Sequence, residues 1–172
     1  MATATYDKIA TTTLGSAASS ITFSSIAASW TDLRLVVTGR QIYSSINYGS
    51  MKLIFNSDSG SNYSYTRIYG NGSSASSSSA TSQTYLYGGY FADAPTGNAM
   101  TSLFVADIFS YAGSTYKTIL CNSSVDENGS GATDSRVGLW RSTSAITSIN
   151  ISGGDGNIDA GTTATLYGIK SA

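Results

Sequence analysis

Histidine is absent from these 172 residues, and charge of either sign is scarce. Nine Lys and Arg face ten Asp and Glu, so 11% of the chain is charged, against roughly 25% in an ordinary globular domain. Without imidazole, the usual Ser-His-Asp triads and His-based metal sites are excluded. A net charge of −1 offers no surplus of cations to displace counterions from a phosphate backbone, so nucleic acid is not an expected partner. The basic patch that would hold an anionic membrane is missing too. Cys121 is the one cysteine, which rules out an intrachain disulfide. Within the apolar run Thr118-Ile119-Leu120-Cys121 it reads as a small buried hydrophobe. Pro95 is the one proline and falls in the turn-like stretch Ala94-Pro95-Thr96-Gly97-Asn98. No apolar run approaches the ~20 residues that span a bilayer. The start, Met-Ala-Thr-Ala-Thr-Tyr, lacks the basic and apolar regions of a secretion signal, so synthesis in a cytoplasm is expected.

Ser, Thr, Gly, Asn and Tyr stand in place of the missing charge. Contacts made through hydroxyls and amides depend little on ionic strength, because there is little Coulomb energy to screen. Helical periodicity is missing; short β-branched and aromatic runs alternate instead with Ser/Gly/Asn clusters. Strands are expected at residues 6–14, 21–26, 33–40, 51–55, 63–69, 84–91, 103–111, 116–121, 136–141, 146–151 and 163–169. Asn71-Gly72, Asn128-Gly129 and Asp155-Gly156 are dipeptides that accept the positive φ of tight turns. The segment 103–111 is apolar on both faces and should be central. The low-complexity stretch Ser73 to Ser82 reads as an exposed loop or irregular edge. Together these features predict an all-β, jelly-roll-like antiparallel β-sandwich of about ten strands, a single domain over 1–172. Its core is expected from Leu35, Val37, Leu53, Phe55, Phe104, Ile108, Ile119, Val137, Leu139, Ile149, Ile151 and Leu166.

Little in the chain suggests catalysis, and neither an enzyme nor a cofactor is expected. Lys8, Lys52, Lys117 and Lys170 are scattered, with no motif for a Ser-Lys dyad. Paired carboxylates could cleave a glycan, but most acids fall at turns, where Asp is a turn former. Asp107 lies mid-strand and reads as a buried partner of a Lys or Arg. Asp155, Asn157 and Asp159 place oxygens at alternate positions, as calcium loops do. The glycine expected at the sixth position and the glutamate expected at the twelfth are missing, with Ala160 and Leu166 in their places. Tyrosine is more informative. Tyr63, Tyr65 and Tyr69 share one strand face, and Tyr85, Tyr87 and Phe91 share another. If neighbours, they form a platform that could seal a subunit interface or stack on a glycan.

Four segments carry a resemblance: Tyr6-Asp7-Lys8-Ile9-Ala10, Phe55-Asn56-Ser57-Asp58-Ser59-Gly60-Ser61-Asn62-Tyr63-Ser64-Tyr65, Ile108-Phe109-Ser110-Tyr111-Ala112-Gly113-Ser114, and Gly161-Thr162-Thr163-Ala164-Thr165-Leu166-Tyr167-Gly168-Ile169. The chain resembles small β-rich virion surface proteins of tailed bacteriophages, particularly phages of aquatic bacteria. The resemblance implies a virion location and a structural role. Its first form is a capsid decoration (cement) protein, a homo-oligomer (trimer) that binds the major capsid protein and stabilises the head. On that reading the stretches 73–82 and 126–134 face outward and could touch host glycans. The alternative is a tail fibre or tail-tip adhesin that binds host surface polysaccharide.

Overall fold

A computed structural model describes residues 6–44, 47–95 and 99–170. Thirteen strands occur among them, with no helix. They are β1 (Tyr6–Thr13), β2 (Ser20–Phe23), β3 (Asp32–Gly39), β4 (Gln41–Ile42), β5 (Asn47–Phe55), β6 (Tyr63–Gly70), β7 (Ala75–Gln83), β8 (Leu86–Ala94), β9 (Ser102–Phe109), β10 (Lys117–Asp126), β11 (Gly131–Trp140), β12 (Ile149–Gly153) and β13 (Thr163–Ile169). Eight form an antiparallel sheet in the order β1-β13-β3-β9-β10-β11-β6-β7. Five form a second, curled sheet in the order β2-β12-β5-β8-β4, antiparallel but for the short β4–β8 pair. The expected all-β sandwich of two sheets is therefore the fold, with β4 and β7 added to the eleven strands read from the sequence. Residues 96–98 of the proline-containing stretch lie outside the described residues.

Alternation drives the assembly. Along β3, Leu33, Leu35 and Val37 point inward and are fully buried, while Arg34, Val36 and Thr38 point out. Along β10, Ile119, Cys121 and Val125 point inward, while Thr118, Leu120, Asn122 and Ser124 face water. Each large aliphatic or aromatic side chain buried between the sheets contributes about 1.5–3 kcal/mol. Burial raises the Cys121 thiol to about 12, so it is inert packing. The β10–β11 hairpin turns through Asn128 (φ 61°) and Gly129 (φ 92°), as a type I′ turn requires.

Two expected core residues face the other way. Val137 is 47% exposed and Leu139 is only partly buried. The inward row of β11 is Ala132, Asp134, Arg136, Gly138 and Trp140. Trp140 sets the phase. Its indole stacks on Tyr63 at 6.4 Å, packs on Phe55 at 5.6 Å and donates to Asp58 Oδ2 at 2.7 Å. With Trp140 inside, a period of two puts Val137 and Leu139 outside. Gly138 leaves room for Leu86 of the opposite sheet; a Cβ there would meet Leu86 Cδ1 at 2.4 Å. The stretch 103–111 is central as expected, but Leu103 and Phe109 are exposed.

Tyr63 links the sheets with its hydroxyl. The O–H donates to the Asp58 carbonyl at 3.0 Å and accepts from Phe55 N–H at 3.1 Å. Burial holds its phenol far above the ordinary range. Tyr63→Phe leaves a buried N–H and a carbonyl short of a partner. We expect a loss of about 1–2 kcal/mol in urea unfolding, with the fold retained.

Candidate interaction site

The platform tyrosines lie where β6 packs on β8. On β6, Tyr63, Tyr65, Arg67 and Tyr69 share the inward face. On β8 the alternation breaks. The β5–β8 register shifts between Met51 and Lys52, because Gly88 and Gly89 form a bulge. Gly89 has φ 148°, and a Cβ on it would meet Ser123 Oγ at 2.4 Å. The extra residue reverses the phase, so Tyr87 pairs with Lys52 while Tyr90, not Phe91, pairs with Ser50. Phe91 turns into the core and is fully buried, as is Tyr63.

Of the six expected platform residues, Tyr65, Tyr69, Tyr85 and Tyr87 come together half-buried; Tyr63 and Phe91 do not join them. Tyr48 and Tyr90 take their place. Tyr65 meets Tyr87 at 5.9 Å, Tyr69 meets Tyr90 at 5.8 Å and Tyr48 meets Tyr90 at 4.7 Å, all edge to face. Tyr85 and Tyr87 pack at 4.8 Å and share a hydroxyl hydrogen bond of 2.7 Å. The Gly88-Gly89 pair was the one sequence signal that could have revealed the bulge.

Cations thread the row. Arg67 lies 4.2 Å from the Tyr69 ring centre and 5.4 Å from that of Tyr90. Arg136 lies 5.1 Å from that of Tyr65, and Lys52 4.8 Å from that of Tyr85. Asp134, buried between the arginines, accepts from Arg136 Nε at 2.9 Å and Arg67 at 3.2 Å. Burial, then the Tyr87 hydroxyl, pushes Tyr85 up to about 12, so that phenol is neutral at physiological pH. The row offers ring edges and hydroxyls, the chemistry of contact.

The outer face of the eight-stranded sheet is a second surface. Ile68, Leu103, Phe109, Leu120 and Val137 are exposed across β6, β9, β10 and β11, among Thr and Ser side chains. In the middle of this face Arg34 and Asp107 neutralise each other through a two-pronged pair, with Nε–Oδ1 at 2.6 Å and Nη2–Oδ2 at 2.8 Å. Asp107 thus has the cationic partner its position suggested, but on a solvated face rather than in the core. A hollow of about 660 Å³ lies at one side, lined by Ile68, Ala75, Ser77, Thr133 and Ser135.

The calcium-loop candidate does not assemble. Asp159 is buried against Arg40, which donates Nε to its Oδ2 at 2.8 Å, and its Oδ1 accepts from Ala160 N–H. Asn157 is exposed and uses its carbonyl on Ile42 N–H. Asp155 turns instead toward Gln41 and Asp93: Asp155 Oδ2, Gln41 Nε2 and Asp93 Oδ2 all lie within 2.5 Å of where a Gly49 Cβ would sit. Among the described residues, no three His, Cys, Asp or Glu side chains are placed to hold a metal ion. Asp93 and Asp155 are a close carboxylate pair, but Asp93 is 3% exposed and out of a substrate's reach.

Fold and surfaces together define an all-β sandwich with a tyrosine-lined flank and a broad neutral face. Comparison with protein-family models finds none that matches the chain, and comparison with curated proteins finds no matching sequence.

Proposed function

We propose that this chain is a non-catalytic structural protein of a bacteriophage virion, a capsid decoration protein that binds the assembled head and stabilises it. The observation that carries this reading is the outer face of the large sheet. Five large apolar side chains stand exposed there on one face of the sheet, whose central charges are internally paired. Leu120 stands directly opposite Val137, and the others are spaced among Ser and Thr on the same face, a mixed apolar and hydroxyl surface suited to contact. Binding through it to assembled shell protein favours the closed shell by mass action, with no reactive group required. Several copies on a symmetric lattice sum weak contacts into firm attachment. Synthesis in a host cytoplasm and residence on the particle surface follow from this reading.

A tail-associated adhesin is the second reading, favoured by the half-buried tyrosines, whose rings and hydroxyls suit a polysaccharide. Quantitative mass spectrometry of purified particles separates the two. Decoration predicts copy numbers comparable with the shell protein. A handful of copies moves the chain to the tail, and its absence from particles overturns both readings.

A further inference from the structure

Three of the four sheet edges are blunted against further pairing. β1 carries a bulge between Lys8 and Ala10, and its Asp7 is tied to Lys170 at 2.8 Å. β2 is four residues long and β4 two. These are the devices by which sheets avoid edge-to-edge association. The fourth edge, β7, has none of them along Ala75–Ala80. It is a nine-residue strand with no charge and no proline, and it pairs with β6 on one side only. Ala75-Ser76-Ser77-Ser78-Ser79-Ala80 runs opposite Tyr65–Gly70 in unbroken register, and the β6–β7 irregularity comes only beyond it. Its free backbone N–H and C=O groups are a template for one more strand.

We propose that β7 is a homotypic pairing edge, occupied by β7 of a second copy running antiparallel. The occupant follows from chemistry. A two-fold axis normal to the sheet sets side chains of one face against the same face of the partner. Wherever Ala75–Ala80 pairs with its copy, Ala or Ser then stands opposite Ala or Ser, with no bulk to exclude and hydroxyls able to pair across the strands. β7 itself carries no charge along Ala75–Ala80, and the neighbouring cation, Arg67, lies on the inward side, where it bonds Asp134 and donates Nε to Ser78 Oγ at 2.9 Å. Ile68, the most exposed large apolar side chain at 66%, lies beside Ser77 on the outward face, within the hollow that the edge borders. The two eight-stranded sheets become one continuous sheet with both neutral faces on the same side. This makes the copy-to-copy contact two-fold, in place of the trimer that the resemblance implied. It is independent of the virion reading, since a β7 dimer can form whatever the face binds.

The test is sedimentation of the whole chain across micromolar concentrations, with hydrogen exchange on residues 75–80. The wild type should be a concentration-dependent dimer with protected β7 amides. Ser77→Lys with Ser79→Lys places like charges on the outward face of both strands. It should weaken self-association at least about tenfold and expose those amides, with the far-ultraviolet spectrum unchanged. Mixing it with the Ser77→Glu, Ser79→Glu variant should restore a mixed dimer. A wild type that stays monomeric throughout, a dimer that survives the lysine pair, or a failure of the two variants to associate when mixed would each overturn the proposal.

Discussion

Asp134→Ala is expected to cost about 3–5 kcal/mol, the range for removing one partner of a buried ion pair. Asp134 is fully buried and the Arg136 side chain is 1% exposed. Arg136 lies directly opposite Arg67 in the β6–β11 register, so two guanidiniums share one face. Asp134 is the carboxylate between them; without it, two like charges face each other with little water. For a chain of this length a loss of 1 kcal/mol lowers Tm by about 2–4 °C, so a fall on the order of 10 °C is expected. A double-mutant cycle identifies the cause. Adding Arg67→Ala should recover part of the loss, because it removes one of the stranded charges. If the double variant is instead less stable by the sum of the single losses, the two residues are uncoupled and the account is wrong. Tyr65, Tyr69 and Tyr90 pack on these guanidiniums, so the tyrosine row should loosen along with them.

Asp93→Asn should stabilise the protein in mildly alkaline solution by about 2–4 kcal/mol and do almost nothing near pH 4. Burial first, then the Asp155 carboxylate, raises the Asp93 carboxyl from its ordinary 3.8 to about 7, with the nearby Gln41 amide acting in the opposite sense. The folded state thus keeps a proton that the unfolded state releases. The favourable contribution is complete below about pH 3.8 and is lost as pH climbs from there through about 7. Every tenfold gain in proton affinity is worth about 1.36 kcal/mol, and the side chain is too buried for solvent to screen much of it. Glu127, raised by burial, adds in the same sense. Asparagine keeps the shape and stays neutral. Urea unfolding of both proteins from about pH 4 to about pH 8 measures the difference. A wild type whose stability does not fall over that interval, or a variant that gains nothing at its upper end, would contradict the assignment.

Much of the fold was legible because its strands alternate. Ten of the twelve expected core residues are buried, and the Asn128-Gly129 turn sits where the dipeptide placed it. The misses share a cause. A period of two names the face-to-face alternation but not which face is inside. Val137 and Leu139 are as apolar as their neighbours, yet the long-range seat of Trp140 against Tyr63 and Phe55 claims the interior. The platform was half legible for the same reason: the two-glycine bulge on β8 exchanged Phe91 for Tyr90, and Tyr48 came from a strand read as beginning only at Met51.

The sequence by itself determined the strand-rich class, the neutral surface, the tight hairpin and the lack of imidazole, because these depend on residue type and local spacing. Tertiary structure alone decided the phase of β11, the company Asp93 keeps, and the pairing of a serine run as β7. Ser-Ser-Ser-Ser has no strong preference for a strand; the backbone of Tyr65–Gly70 supplies the hydrogen bonds that make it one. Such choices belong to partners distant in the chain, and no local pattern encodes them.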